Sequence, residues 1–97
     1  MYVEQYEIII RIGVIKLQGR LEASDAPGLR TLLEEHSEKG VNSVLVDLQR
    51  VNFIDNQCVA SLVASMKLLR ARGGDLRLIG LQHGPRSVFE LMMLDNI

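Results

Sequence analysis

The chain has 97 residues, the length of one small domain, and 11 basic side chains nearly balance 12 acidic ones. Hydrophobic residues make up 47% of it, which excludes a disordered protein, and no apolar run approaches the ~18 residues of a membrane span. The net charge of −1 lacks the basic excess of a protein that binds nucleic acid through its phosphates. We therefore expect one globular domain, residues 1–97, with no membrane span and no nucleic-acid partner.

Cysteine and histidine are too sparse to indicate a metal centre or a catalytic triad. The one cysteine, Cys58, excludes an intrachain disulfide and a cysteine-based zinc cluster. The two histidines, His36 and His83, are far apart in the sequence. The N-terminus lacks the basic-then-apolar order of a signal peptide. These features predict a cytoplasmic, non-enzymatic protein without a metal or another cofactor.

The chain begins with a pattern typical of a β-hairpin. Residues 6–12 are mostly β-branched and apolar, and the same pattern resumes at residues 14–17. Gly13 separates the two stretches, which predicts a tight turn near Gly13 between two antiparallel strands.

A helix is predicted next, between a capping residue and a glycine stop. Ser24 or Asp25 is the expected N-cap, and the helix should run to Lys39 and stop at Gly40. His36 shares the apolar face of this helix, so we interpret it as a core or edge residue rather than a ligand.

The rest of the chain alternates strands and helices. Residues 44–48 are a continuous apolar run typical of a buried strand, and a short loop is expected to lead on to Asp55. Strand–helix–strand units favour parallel pairing, so the order β-β-α-β-α-β-α predicts an α/β fold with one mixed sheet and helices packed against it. The remaining predicted elements are a helix over 57–72, a strand over 76–79 and a helix opened by Gly84–Pro85.

The start of the second helix is the most informative place in the chain. Asp55 is expected to cap this helix, since aspartate is a strong N-cap. The free N–H groups of Asn56, Gln57 and Cys58 are expected to point into solvent, where they could hold an anion such as phosphate. Capping alone is the other interpretation. We interpret Cys58 as a small buried residue rather than a reactive thiol, because Asp55 opposes its ionisation.

The second helix has two distinct faces at ~100° per residue. A merely solvated face is normally charged, but the face predicted to point outward is small and neutral. Small residues let another backbone approach closely, so we interpret this face as a docking surface; an alanine-rich composition chosen for helix propensity is the alternative. The predicted inward residues are Val59, Leu62, Val63, Met66 and Leu69, and the outward residues are Gln57, Ala60, Ser61, Ala64, Leu68 and Ala71.

Four stretches together form a specific signature: LQGRLEA (17–23), VDLQRVNFID (46–55), LRARGGDLRLIGL (69–81) and VFEL (88–91). On these residues nearly the whole chain resembles the STAS domain, and specifically its anti-sigma factor antagonist branch. The resemblance implies a STAS-like mixed sheet. It also implies a protein that binds an anti-sigma factor, itself a serine kinase, and that leaves this partner when it is phosphorylated.

The chain departs from this family at the phosphorylated residue. In the family the helix opens with the four-residue motif Asp-Ser-(Ser/Thr)-Gly. The third residue of the motif, which is the second hydroxyl residue, takes the phosphate. By position, Asp55 matches the Asp, Asn56 the first Ser, Gln57 the phosphoacceptor and Cys58 the Gly. Gln57 has no hydroxyl, so we expect a binding module that phosphorylation at this position does not switch. Ser61, one turn further on, is a less favoured acceptor.

The predicted partner is therefore an anti-sigma factor and serine kinase, and two alternatives stay open. One is a short STAS subunit that binds and stabilises the ATPase of a lipid-transport ABC system; the other is a stressosome-like scaffold. Self-association as a homodimer is also left open. The chain ends before the C-terminal strand and helix that many family members carry, which indicates a short form or a truncation. The predicted partner-binding residues are Asp55, Asn56, Gln57, Ser61, Ala64 and Leu68.

Overall fold

The computed structural model describes residues 1–9 and 11–91, which form a four-stranded sheet and three α-helices. The strands lie in the order β1-β2-β3-β4, with β1 antiparallel to β2 and the other neighbours parallel. The predicted order of elements and the mixed sheet are confirmed. The elements are β1 (Tyr2–Ile9), β2 (Ile12–Leu21), α1 (Ala26–Glu38), β3 (Ser43–Ile54), α2 (Asn56–Ala71), β4 (Asp75–Ile79) and α3 (His83–Leu91).

One hydrophobic core joins the sheet to the helices. Alternate residues are buried along β2 and β3, because successive side chains of a strand point to opposite faces of the sheet. The core includes Ile15 and Leu17 of β2, Val44, Val46 and Leu48 of β3, Leu29 and Leu33 of α1, Leu62 and Leu69 of α2, Leu76 of β4 and Phe89 of α3.

None of the helices in the described part of the chain has the length and hydropathy of a membrane-spanning helix.

The predicted antiparallel pair and the turn near Gly13 are confirmed, but Gly13 itself lies in β2 and not in the turn. β1 ends at Ile9 and β2 begins at Ile12, so the chain reverses before Gly13, and Arg11 there has a φ of +63°. Gly13 instead pairs with Ile8 inside the sheet. A Cβ atom built on Gly13 would overlap the ring of His36. The glycine is therefore required by a close contact between distant parts of the chain, which local turn patterns do not reveal. Ile10 lies outside the described residues.

His36 occupies the interior, as its place on the apolar face predicted. Its side chain is fully buried, its ring lies 4.2 Å from the ring of Tyr6, and its Nδ1 is 3.2 Å from the carbonyl oxygen of Leu32. That bond requires the proton on Nδ1, which leaves Nε2 as an acceptor without a partner. Burial lowers the pKa of His36, since the charged imidazolium would lose its hydration.

The start of α1 agrees with the prediction in position but not in detail. Asp25 is the N-cap, but its carboxylate does not bond to the helix. It accepts from the N–H of Glu22 at 2.8 Å and contacts the terminal ammonium of Met1 at 3.2 Å. The hydrogen bond from Glu22 is the main reason why the pKa of Asp25 is lowered. Asp25 therefore stabilises the turn that precedes α1 rather than the first turn of α1 itself.

The short loop expected before Asp55 does not exist. β3 continues without a break from Ser43 to Ile54, and Ile54 pairs with Leu21 at the end of β2. The N–H of Asp55 then donates to the carbonyl of Leu21 at 2.8 Å. The sheet itself thus holds the first residue of the candidate site.

Candidate partner-binding site

Asp55 caps α2 as predicted. Its backbone is extended, with φ −78° and ψ 152°, and its Oδ1 accepts from the N–H of Gln57 at 2.8 Å. The N–H of Cys58 donates to the carbonyl of Asp55 at 3.0 Å. Two of the three N–H groups expected to be free are therefore occupied, and a carboxylate sits beside them. The anion site considered for this helix start is not formed, and capping alone describes the geometry.

Cys58 is a buried structural residue, as predicted. Its side chain is fully buried, and its Sγ donates to the carbonyl of Glu22 at 3.1 Å. The pKa of this thiol is raised to about 11, mainly by burial and in smaller part by the nearby carboxylates of Asp25 and Asp55. A thiol that stays protonated at neutral pH is a poor nucleophile. This geometry argues against a catalytic role for Cys58.

The two faces of α2 are arranged as predicted, with one exception. Val59, Leu62, Met66 and Leu69 are buried and Val63 is half-buried, whereas Gln57, Ala60, Ala64, Leu68 and Ala71 are exposed. We call these five exposed residues the neutral stripe. Ser61 was expected on this outer face, but it is only 6% exposed. The correction has a tertiary cause, because Ser61 lies on the side of α2 that borders α1.

A groove between α1 and α2 was not predicted from the sequence. It has a volume of about 460 Å³, and its lining includes Ala26, Arg30 and Glu34 of α1 and Gln57, Ala60 and Ser61 of α2. Some 30 residues separate the two walls in sequence, so no local motif reports the groove. The small side chains Ala26, Ala60 and Ser61 were the available signal, since they let two helices approach without filling the space between them.

The groove continues towards the other ends of the two helices. A second cavity of about 210 Å³ is lined by Glu34 and Glu38 of α1 and by Leu68 and Arg72 of α2. Glu34 borders both cavities. Beyond it, the guanidinium of Arg72 donates to the hydroxyl of Ser37, which ties the C-terminal ends of the helices together. The neutral stripe therefore borders a surface cleft, and its apolar member Leu68 lines the second cavity.

Of the six predicted site residues, Ser61 is buried and the other five are exposed or half-buried. Asn56 and Gln57 are exposed at the start of α2, Asp55 is half-buried beneath them, and Ala64 and Leu68 follow on the same side of the helix. Parallel sheet strands and an inward apolar face fix this orientation of α2, since rotating the helix would expose its core residues.

Comparison with known proteins identifies the fold family. Residues 11–97 match the sequence profile of the family described as Mlab, STAS domain, so the chain belongs to the STAS domain family. Within that family it is similar to the anti-sigma-B factor antagonists of Listeria monocytogenes and Listeria innocua. The chain is 30% identical to each over 83 residues, which is 86% of this chain and 73% of either relative.

Solved structures support the same assignment. The Thermotoga maritima protein TM1081 superimposes with a TM-score of 0.87 at 22% identity, over 96% of this chain and 80% of that protein. The anti-sigma factor antagonist SpoIIAA in its unphosphorylated form gives a TM-score of 0.75 at 26% identity, over 90% of this chain and 81% of that protein. The predicted STAS fold and the resemblance to the antagonist branch are confirmed.

Proposed function

We propose that this chain is a non-catalytic binding module whose partner is an anti-sigma factor that is also a serine kinase. The predicted contact residues are Asp55, Asn56, Gln57, Ser61, Ala64 and Leu68. The observation that carries the proposal is the neutral stripe of α2, which remains exposed although a solvated helix face is normally charged. The relatives named as anti-sigma factor antagonists support the choice of partner.

Gln57 is proposed to leave this module permanently able to bind. It lies exposed at the start of α2, where its backbone N–H bonds to Asp55. A glutamine carboxamide has no hydroxyl to receive a phosphoryl group, so charge cannot be added at this position by a serine kinase. The burial of Ser61 also makes it a poor substitute acceptor.

The other interpretations have less support. The curated relatives are antagonists, which does not favour a subunit of a lipid-transport system. A stressosome-like scaffold would use the same neutral surface, so the identity of the bound protein separates these possibilities. The buried, protonated Cys58 gives an enzymatic interpretation no nucleophile.

The first experiment is a pull-down from the native host with the wild type, Leu68→Glu and Ile79→Glu. Leu68 and Ile79 are exposed to similar extents, 36% and 44%, but only Leu68 borders the groove. We expect Leu68→Glu to lose an anti-sigma factor kinase about tenfold, since an acidic group on an apolar contact opposes docking. Ile79→Glu should retain it. An equal loss from both variants, or none from either, would remove α2 from recognition.

The second experiment asks whether the missing hydroxyl determines regulation. The captured kinase and ATP are incubated with the wild type, Gln57→Ser and Gln57→Ala, and phosphate is located by mass spectrometry. We expect phosphate only on Gln57→Ser, accompanied by release of the partner. Phosphate on the wild-type turn from Gln57 to Ser61 would contradict a module that phosphorylation does not switch.

A further inference from the structure

We infer that the face of the sheet opposite the helices is an interface between two copies of this chain. The inference concerns a surface that the proposed function does not use. One side of each strand packs into the core, to which α1, α2 and α3 all contribute, and the other side forms what we call the open face. The residues of the open face include Ile12, Val14 and Lys16 of β2, Leu45 and Asp47 of β3 and Ile79 of β4.

The open face carries apolar side chains that do not belong to the core. Ile12 and Ile79 are 40% and 44% exposed. Val14 and Leu45 are half-buried and lie side by side on the two inner strands. Neither is among the described hydrophobic residues that form the core or pack against it. Apolar residues grouped on one face are typical of a surface that another protein covers.

Two opposite charges lie next to this apolar pair. Lys16 and Asp47 are also side by side on β2 and β3, two residues further along each strand. Within residues 1–9 and 11–91, neither of them forms an ion pair. Glu4 and Arg50 border the same small cavity, but they are paired with each other at 2.6 Å. The ammonium of Lys16 and the carboxylate of Asp47 are therefore available to groups from outside.

The pattern is self-complementary, which selects a second copy as the occupant. Two sheets can stack about 10 Å apart with their strands nearly aligned. A two-fold axis parallel to the strands, between β2 and β3, places β2 of one copy over β3 of the other at the same level. Because β2 and β3 are parallel, each residue then faces its own register partner in the second copy.

Both kinds of contact match across this axis. Val14 packs on Leu45 of the second copy, and the ammonium of Lys16 meets the carboxylate of Asp47 of the second copy. Each contact occurs twice, so the two lysines and two aspartates alternate in sign around the axis. Complementary charges of this kind fix the register of an interface.

The open face is small, so the dimer is expected to be weak. Four strands about 4.8 Å apart overlap over the five residues of β4, at about 3.3 Å each, which gives a footprint of about 320 Å². Stable interfaces bury about 800 Å² of accessible surface per partner, so association should depend on concentration. Because α1 and α2 lie on the opposite face, a dimer leaves both neutral stripes open to partners.

Sedimentation velocity at increasing chain concentration measures the association. We expect the wild type to shift from monomer to dimer, and Val14→Glu to associate at least tenfold more weakly, since a carboxylate would be buried against Leu45 of the second copy. Leu68→Glu, on α2, should dimerise like the wild type. A thermal melt of each variant checks that the subunit stays folded. A wild type that stays monomeric up to millimolar concentration, or a dimer that Leu68→Glu weakens as much as Val14→Glu, would overturn the inference.

Charge reversal tests the two-fold axis itself. Lys16→Asp and Asp47→Lys should each weaken self-association at least tenfold, since like charges then face each other. An equimolar mixture of the two variants should form a heterodimer about as well as the wild type associates, because every acidic group then faces a basic one. Lys67→Asp, on the exposed side of α2, is the matched control and should change nothing. A mixture that associates no better than the separate variants would overturn the inference.

The same variants keep this inference separate from the proposed function. Leu68→Glu should lose the partner and keep the dimer, whereas Val14→Glu should keep the partner and lose the dimer. Failure of the dimer in sedimentation therefore leaves the result of the pull-down unaffected, and loss of the partner in the pull-down leaves the sedimentation result unaffected.

Discussion

Two regions of the molecule, the strand around Gly13 and the start of α2 at Gln57, differ in how strongly the rest of the fold constrains the residue at that position. Gly13 lies inside a strand because the ring of His36 occupies the space of a side chain. Gln57 lies exposed at the start of α2, where its side chain makes no hydrogen bond within the described residues. The first is fixed by packing and the second is left free by the fold. Substitutions should therefore separate stability from recognition.

Gly13→Ala should have the largest effect on stability. The added methyl group would overlap the buried ring of His36, and overpacking of this kind typically costs 1–3 kcal/mol, here about 3 kcal/mol at the upper end. Urea unfolding measures the loss. Adding His36→Ala should recover part of it, since the double variant no longer has the clash. A Gly13→Ala chain as stable as the wild type would show that the contact is not rigid.

Acidification should lower the free energy of unfolding first through His36, which packs against Gly13. The pKa of His36 is lower in the folded chain than the ordinary 6.5, so below pH 6.5 the unfolded chain binds more protons. The free energy of unfolding should therefore fall as the pH drops from 6.5 towards the folded-state pKa, by at most about 1.4 kcal/mol per pH unit. His36→Leu should abolish this slope in urea titrations. An unchanged slope would assign it to other groups.

The carboxylates of Asp25 and Asp75 change the free energy of unfolding over a separate and more acidic pH range. The pKa values of Asp25 and Asp75 are both lowered from 3.8, the first mainly by the N–H of Glu22 and the second mainly by the guanidinium of Arg70. Their contribution is present above 3.8 and is lost as the pH falls through the folded-state pKa values. The histidine slope is thus measurable below pH 6.5 and above the range in which Asp25 and Asp75 take up protons.

Asp55→Ala should cost about 1 kcal/mol, because the capping bond to the N–H of Gln57 is lost. Asp55→Asn keeps an acceptor and should lose only a few tenths of a kcal/mol. Thermal unfolding of the two variants compares them directly. Equal losses would mean that charge, rather than the hydrogen bond, stabilises the start of α2.

Gln57→Ala should have the smallest effect, within about 0.5 kcal/mol of the wild type, since the exposed side chain makes no bond in the described structure. Chemical denaturation checks the value. A loss of more than 1 kcal/mol would mean that Gln57 belongs with Gly13 among the residues that hold the fold together, and the contrast between the two regions would fail.

Periodic patterns were sufficient for most of the fold. The apolar spacing of α2 predicted that Val59 and Leu62 face inward and that Ala64 and Leu68 face outward, and the structure agrees. Asp55 was also identified as a cap from its residue type and place. These properties depend on neighbours within one turn of helix or one strand, which the sequence contains in full.

Contacts between distant segments were not predictable in the same way. Ser61 was assigned to the outer face, but it is buried on the side of α2 that borders α1. A turn was correctly predicted near Gly13, but the local pattern does not report that the ring of His36 packs on this residue. In both cases the deciding neighbour is more than twenty residues away. The groove at Arg30 and Ser61 has the same origin, since it exists only where two helices meet.

By itself, the sequence determined the order of the elements, the inward face of α2, the capping residue and the absence of a hydroxyl at Gln57, because each depends on residue type or short-range spacing. The tertiary structure alone decided which side chains the helix pair buries, why Gly13 has no side chain and where a groove opens between α1 and α2. The physical reason is that packing acts between surfaces, and neighbouring surfaces are set by chain topology rather than by position along the chain.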